Sequence, residues 1–185
     1  MQLNLRAYIW YKFLNSLFFG VSVGSIFILY TPLEPSIYSL GGIFLALSML
    51  FLAKWYDVMM NLKVFYKVTL LVEMIVLIFV GLFLVFNYSY MTALSVYVGY
   101  QITFVFGNYL VRMETIALKK TQLLSFADVA KQKGYLFGMI ISYMFYKFLE
   151  YLNIVDKKIQ VYDLHVGLLL LQICIVILVI KAFKK

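Results

Sequence analysis

The sequence predicts an all-α protein: one domain, residues 1–185, built as a bundle of six helices that cross a membrane. Hydrophobic residues make up 65% of the 185 residues and charged residues only 13%, whereas soluble domains have roughly 25% charged residues. The mean hydropathy is +0.96. Apolar runs of about 20 residues, the length that spans a bilayer as a helix, recur along the chain. The runs are continuously apolar rather than alternating, which favours helices over a transmembrane barrel.

The predicted spans are separated by short polar segments. They cover residues 13–30, 37–56, 68–86, 90–111, 135–152 and 164–183. Pro32 and Pro35 end the first span, because proline removes a backbone donor and disfavours helical angles in the preceding residue. Residues 87–90 form a short turn between the third and fourth spans. Ser125 and Asp128 have the spacing of a capping box, which predicts the start of the fifth helix there.

The basic residues predict that both chain ends face the cytoplasm. Of 16 lysines and arginines, only Lys147, Lys157 and Lys158 fall in the predicted outer loops, leaving 13 on the inner side. Cytoplasmic loops are enriched in such residues. This topology accounts for the net charge of +8 without a nucleic-acid partner, and it predicts a location in a bacterial inner membrane, with the lipid bilayer as the main surrounding.

No pattern of catalytic residues is visible, so we do not expect an enzyme. The chain has one histidine, His165, and one cysteine, Cys174. It has no nucleophile elbow, no HExxH motif and no phosphate-binding glycine loop. We therefore predict no metal and no cofactor. His165, next to Asp163 at the start of the sixth span, is predicted to lie at the membrane interface.

Polar residues on two predicted helices suggest a path for a solute. Gln101 and Asn108 lie on one face of the fourth span, and Asn15 and Ser22 lie along the first. A polar stripe that faces lipid would be costly, so these four residues are expected to face a polar cavity. The alternative is that they hydrogen-bond neighbouring helices.

A second group of residues carries charge near the inner face. Glu73 lies inside the third span near its cytoplasmic end, and Arg112 and Glu114 end the fourth span. An ionisable residue inside the membrane is costly and marks a functional site by default. We expect Glu73 to pair with Arg112, either in a gate or coupling site or in a static ion cluster.

Small residues recur at every fourth position in two spans, which predicts helix contacts. Ser16, Gly20 and Gly24 form one such series. Gly134, Gly138 and Ser142 form the other. In lipid, small residues allow two backbones to approach closely. The spacing leaves open whether the contacts lie within one chain or between chains.

The chain resembles one six-helix half of a major facilitator superfamily transporter. The resemblance rests on the six spans with both ends inside, on Asp57 and Lys63 in the segment Asp-Val-Met-Met-Asn-Leu-Lys between the second and third spans, and on Arg112. It implies that Asp57, Lys63 and Arg112 belong to a cytoplasmic gating cluster. Transporters of this family have two such halves with the substrate path between them, and a parallel homodimer of this chain would supply both.

The functional expectation is therefore a half-size secondary transporter of a small solute that works as a homodimer. Two alternatives stay open. One is a membrane subunit that does not transport and docks partner proteins. The other is the substrate-capturing component of an ATP-driven uptake system.

Overall fold

The computed structural model describes residues 2–86 and 88–184, and nearly all of them are helical. The elements in chain order are β1 (Gln2–Leu3), α1 (Leu5–Leu29), α2 (Pro35–Lys54), α3 (Tyr56–Met59), α4 (Leu62–Val85), α5 (Tyr90–Val105), α6 (Gly107–Leu118), α7 (Thr121–Tyr151), α8 (Lys157–Ala182) and β2 (Phe183–Lys184). The all-α prediction is confirmed.

Among the described residues, four helices are long and apolar enough to cross a membrane: α1, α2, α4 and α8. The other two predicted spans have a different form. The run at 90–111 is divided at Phe106 into α5 and α6. Helix α7 has 31 residues, a length of about 46 Å at 1.5 Å per residue, and its first half is charged.

Helix α1 lies at the centre of the bundle, and its most extensive contact is with α7. The two small-residue series meet there. A Cβ added at Gly20 would overlap the carbonyl oxygen of Tyr135, and one added at Gly138 would overlap that of Leu17. The two backbones therefore touch, and these contacts form within one chain. Contact positions rise together along both helices, so α1 and α7 run parallel.

The two ends of the chain lie together on one face of the bundle. Strands β1 and β2 pair antiparallel, with Gln2 opposite Lys184 and Leu3 opposite Phe183. The Asn4 amide also donates to the Ala182 carbonyl oxygen at 2.8 Å. Ends on one face are what an even number of membrane crossings requires.

Helix α2 lies at the edge of the bundle, and none of its residues is buried. Pro35 occupies its first turn, where the missing N–H has no helical acceptor in any case. The packing of α2 is mainly on α5, where a Cβ at Gly41 would overlap the Tyr97 ring. Most of the apolar surface of α2 therefore faces outward.

The starts of α7 and α5 can be compared with their predicted positions. The capping box at Ser125 and Asp128 is wrong, because α7 begins at Thr121 and both residues lie inside it; Asp128 instead pairs with Lys131 at 3.0 Å. In the predicted turn at 87–90, Asn87 lies outside the described residues. Ser89 caps α5 by accepting a hydrogen bond from the Thr92 amide at 3.2 Å.

Candidate functional site

A carboxylate lies at the buried midpoint of α4. Glu73 is 1% exposed, and its Oε1 accepts a hydrogen bond from the Tyr11 hydroxyl at 2.9 Å and one from Asn15 Nδ2 at 2.9 Å. Its Oε2 accepts one from Gln172 Nε2 at 2.8 Å. Gln172 Nε2 also donates to the backbone oxygen of Glu73 at 2.9 Å. Three helices thus supply one compact cluster, which we call the Glu73 site.

Helical spacing explains how these residues meet. Tyr11 and Asn15 are four apart and lie on one face of α1. Gln172 is in the middle of α8, which packs on both α1 and α4. Thr69 lies one turn before Glu73 on α4 and is 1% exposed. Each helix therefore turns its polar side chains toward the same buried point.

The Glu73 carboxyl has no cation in contact. Its three partners are neutral donors, and no described lysine, arginine or histidine lies within ion-pair distance of it. Two buried atoms of the same region have no hydrogen-bond partner: Thr69 Oγ1 and Gln172 Oε1. Burying a charge without a counter-ion is costly, so the surroundings stabilise this charge only in part.

A second carboxylate, Glu114, is paired with basic side chains. Glu114 on α6 is 3% exposed. Its Oε2 lies 2.6 Å from Lys12 Nζ of α1, and its Oε1 lies 2.8 Å from Lys131 Nζ of α7. Lys131 also contacts the exposed Asp128. We call these four residues the Glu114 cluster; it joins three helices through ion pairs.

The contacts within the Glu114 cluster shift the pKa values of Glu114 and Lys131. Burial alone would raise the pKa of the Glu114 carboxyl, but the charge of Lys12 and the hydrogen bonds from Lys12 and Lys131 outweigh burial and hold that pKa below its usual range. Burial alone would lower the pKa of Lys131, but its contacts with Glu114 and Asp128 raise it. Both shifts favour the charged forms.

The predicted pair of Glu73 with Arg112 is not formed. Arg112 is exposed, and its guanidinium lies 5.8 Å from the centre of the Tyr56 ring. Asp57 and Lys63 are also exposed, and neither has an ion pair with another described residue. Of the five predicted gating or coupling charges, Glu73 and Glu114 are buried, each in a different cluster.

The four residues of the predicted solute path lie apart. Asn15 belongs to the Glu73 site. The Ser22 hydroxyl donates to the Phe19 carbonyl oxygen of its own helix at 3.1 Å. Gln101 is half-buried, and its Oε1 has no partner. The break at Phe106 separates it from Asn108, which is exposed. Of these residues, Asn15 forms a hydrogen bond to a neighbouring helix, as the alternative expects, and Ser22 bonds only within its own helix.

Two of the grooves between helices are mainly apolar. One, of about 490 Å³, lies between α4 and α5 and is lined by Phe79, Phe83, Met91, Ser95 and neighbouring residues. The other, of about 210 Å³, lies among α1, α7 and α8 and has Asp163 as its one charged lining residue. None of the four predicted path residues lines either groove.

Sequence reasoning missed several residues that complete these clusters. Gln172 is the only amide or charged residue between His165 and Lys181, a signal that was available. Tyr11 and Lys131 had no comparable signal. His165 is buried among the helices: it is 3% exposed, its ring centre lies 4.4 Å from that of Phe83, and its Nδ1 lies 2.7 Å from the Val161 carbonyl oxygen.

Comparisons of the chain with protein-family models, with curated proteins and with solved structures find no match. The function therefore has to be argued from the residues and their geometry.

Proposed function

We propose that this protein is a half-size secondary transporter of a small solute, and that it works as a parallel homodimer in a bacterial inner membrane. The observation that supports this most strongly is the Glu73 site. A carboxylate is held among three apolar, membrane-length helices by neutral donors alone, and intramembrane carboxylates typically belong to substrate or ion pathways.

The chemistry of the two clusters supports a working role for Glu73 rather than a structural one. A carboxylate that serves only to join helices is best held by cations, because opposite charges compensate the cost of burial. Glu114 is held in this way by Lys12 and Lys131. Glu73 is not, so its charge is free to change without breaking an ion pair.

The full topology is part of the proposal. In addition to the four apolar helices, residues 90–111, which comprise α5 and the start of α6, form one crossing and the apolar half of α7 forms another. Six crossings agree with chain ends that lie on one face. They also agree with the parallel direction of α1 and α7, which are the first and fifth crossings and both run outward. The lysine-rich face is then the cytoplasmic one.

The exposed surface of α2 supports the proposed homodimer. It has no buried residue, and Gly42 on its exposed side has no other part of the chain within 4 Å of an added Cβ. Ala46 follows one turn later and is also exposed. Small residues four apart favour close helix packing in lipid, and a second α2 related by two-fold symmetry fits this surface.

Transport is tested with purified protein in liposomes. Uptake of labelled sugars, amino acids and organic acids is measured with and without an imposed pH gradient, beside protein-free liposomes. We expect accumulation of at least one solute class above the protein-free level. No accumulation across the panel under either condition would contradict the proposal.

The homodimer is tested by cysteine cross-linking in native membranes. Ala46→Cys is placed in a Cys174→Ser background, and the natural chain, with its exposed Cys174 on α8, is the matched control. We expect a disulfide-linked dimer for the α2 cysteine and none for Cys174. A stoichiometric second protein that copurifies with the chain, in place of a second copy, would favour the docking-subunit alternative.

A further inference from the structure

The Gln172 side-chain amide is hydrogen-bonded to Glu73 through its nitrogen, and its oxygen has no partner. Gln172 Nε2 donates to Glu73 Oε2 at 2.8 Å and to the Glu73 backbone oxygen at 2.9 Å. Its Oε1 has no partner, although Gln172 is 0% exposed. Buried acceptors nearly always have a donor, so this atom points to a second arrangement in which it is used.

A primary amide carries a donor at one end and an acceptor at the other, and rotation about its last bond exchanges them. An ionised carboxylate only accepts, so it requires the Nε2 end. A protonated carboxyl has an O–H to donate, and it is matched by Oε1. The same two side chains therefore form a good hydrogen bond in either protonation state, with the amide turned by half a revolution.

We propose that Glu73 is a reversible proton-binding site and that Gln172 reverses its amide when the proton binds. This inference rests on the proposed function and deepens it, because it names the coupled ion and the residue that senses it. The proton adds to Oε2 of Glu73, and the new O–H donates to Gln172 Oε1. No other covalent bond is made or broken.

The surroundings favour a proton over a metal ion. Tyr11, Asn15 and Gln172 all present donors to the carboxylate, whereas a hard metal cation needs a shell of oxygen ligands. No group of three or more metal-ligating side chains occurs among the described histidines, cysteines and acidic residues. Neither groove described above is lined by Glu73, and a proton needs no cavity.

The other charged and titratable groups near Glu73 are few. From α1, Tyr11 is in contact and Lys12 acts on Glu73 through its charge. Lys12 is itself bound to Glu114 of α6. From α8 the facing residue is Gln172, which does not titrate. Glu73 is thus the one carboxyl group among the residues in contact at this site.

Reversal of the amide changes how α4 and α8 are joined. In the ionised form, Gln172 Nε2 holds the backbone of α4 as well as the carboxylate. When Oε1 turns toward the carboxyl, that backbone bond is lost. Protonation therefore loosens one connection between two central helices, which gives proton binding a route to a change in helix packing.

The test is infrared difference spectroscopy of the purified full chain in lipid vesicles, titrated with acid and base. A protonated carboxyl has a carbonyl band that a carboxylate lacks. We expect such a band to appear as the pH falls and to be absent in Glu73→Gln. In Glu114→Gln the band should remain, because Glu114 is held ionised by two lysines. Gln172→Met removes the amide at similar volume, and the band should move to higher frequency because the carboxyl loses its acceptor.

The outcomes are decisive and do not depend on transport. The absence of a pH-dependent band that requires Glu73 would overturn proton binding at this site. Suppression of the band by sodium at fixed pH would show a metal-ion site instead. A band that is unchanged in Gln172→Met would overturn the role of Gln172. Since the spectrum needs no substrate, a failed uptake experiment with an intact band would reject the transporter alone.

Discussion

The two buried carboxylates are bound in opposite ways. Glu114 lies between Lys12 and Lys131 at 2.6 and 2.8 Å, and its cluster reaches the surface through Asp128. Glu73 lies deeper, and its partners are a hydroxyl and two amides. The same helix, α1, supplies residues to both: Lys12 to the first, Tyr11 and Asn15 to the second.

The difference indicates what each site is suited to do. A buried ion pair strongly resists the loss of either partner, because the other charge is then left uncompensated. A carboxylate held by neutral donors loses little when it becomes neutral, since amides and hydroxyls can reverse their hydrogen bonds. The Glu114 cluster is therefore a fixed connection among α1, α6 and α7, and the Glu73 site is one that can change state.

The largest expected effect comes from neutralising Glu114. Glu114→Gln leaves Lys12 without a counter-charge and leaves Lys131 with only the exposed Asp128. We expect a loss of about 2–4 kcal/mol of unfolding free energy, somewhat below the value for a fully buried pair because Lys131 is partly exposed. Reversible unfolding in mixed detergent micelles measures it.

The control for Glu114→Gln is Glu150→Gln, which breaks the exposed pair of Glu150 with Lys147 on α7. Exposed pairs contribute little, so its stability should match that of the natural protein. Equal losses in the two variants would show that Glu114 is no better fixed than a surface residue, and the comparison of the two carboxylates would fail.

The second largest effect is expected from a substitution that displaces α7, because α7 contributes to the Glu114 cluster and not to the Glu73 site. Gly134 of α7 lies against the backbone of Phe13 on α1, and an added Cβ would overlap the Phe13 carbonyl oxygen. Gly134→Ala should push α7 away from α1 next to Lys12 and Lys131 and cost about 1–3 kcal/mol. The Glu73 site does not include α7 and should keep its infrared band.

Gly167→Ala is the matched control for Gly134→Ala, because an added Cβ at Gly167 of α8 meets nothing within 4 Å. Alanine is also the better helix former, so this variant should be at least as stable as the natural protein. A loss of the Glu73 band in Gly134→Ala would show that the two sites are not independent.

The sequence predicted the helical class, the positions of most helices and the presence of helix contacts at the small-residue series of α1 and α7, but not that the two series meet each other. These depend on local signals: apolar run length, proline position and spacing of four. The division at Phe106 was missed because no proline lies there and a single glycine, Gly107, is tolerated within a helical run. The start of α7 was predicted at Ser125 instead of Thr121 because Ser125 and Asp128 have the spacing of a capping box.

For the candidate site, Glu73 and Glu114 were found because a carboxylate in or beside an apolar run is conspicuous. Their partners were mostly not predicted. Arg112 was expected at Glu73 because both were placed near the same membrane face, but α4 begins at Leu62, which puts Glu73 at the middle of its helix, away from that face. Which residues meet across helices depends on helix rotation, and the sequence pattern constrains rotation weakly when every face is apolar.

A smaller effect is expected from neutralising Glu73. In Glu73→Gln the new amide keeps an oxygen for Tyr11 and Asn15, and its NH2 group can donate to a reversed Gln172. The unfolding free energy should therefore change by no more than about 1 kcal/mol. Measured beside Glu114→Gln in the same micelles, this variant compares one substitution at two buried sites. A loss at Glu73 as large as that at Glu114 would mean that the charge of Glu73 is itself structural.

The smallest expected effect is the pH dependence of the Glu114 cluster. The folded-state pKa of Glu114 is depressed, chiefly because the lysine charges outweigh burial, so its contribution is present above the unfolded pKa and is lost as the pH falls through the folded pKa. The pKa of Lys131 is raised, so its contribution is present below the unfolded pKa and is lost as the pH rises through the folded one. The contributions of Glu114 and Lys131 should thus be constant between about pH 5 and pH 10 and fall on both sides. Thermal unfolding in detergent across this range measures it, with Glu114→Gln as the control. The variant should lose the part of the acid-side fall that Glu114 causes; an unchanged acid-side fall would mean that other carboxyls cause it and that Glu114 is not held ionised by its two lysines.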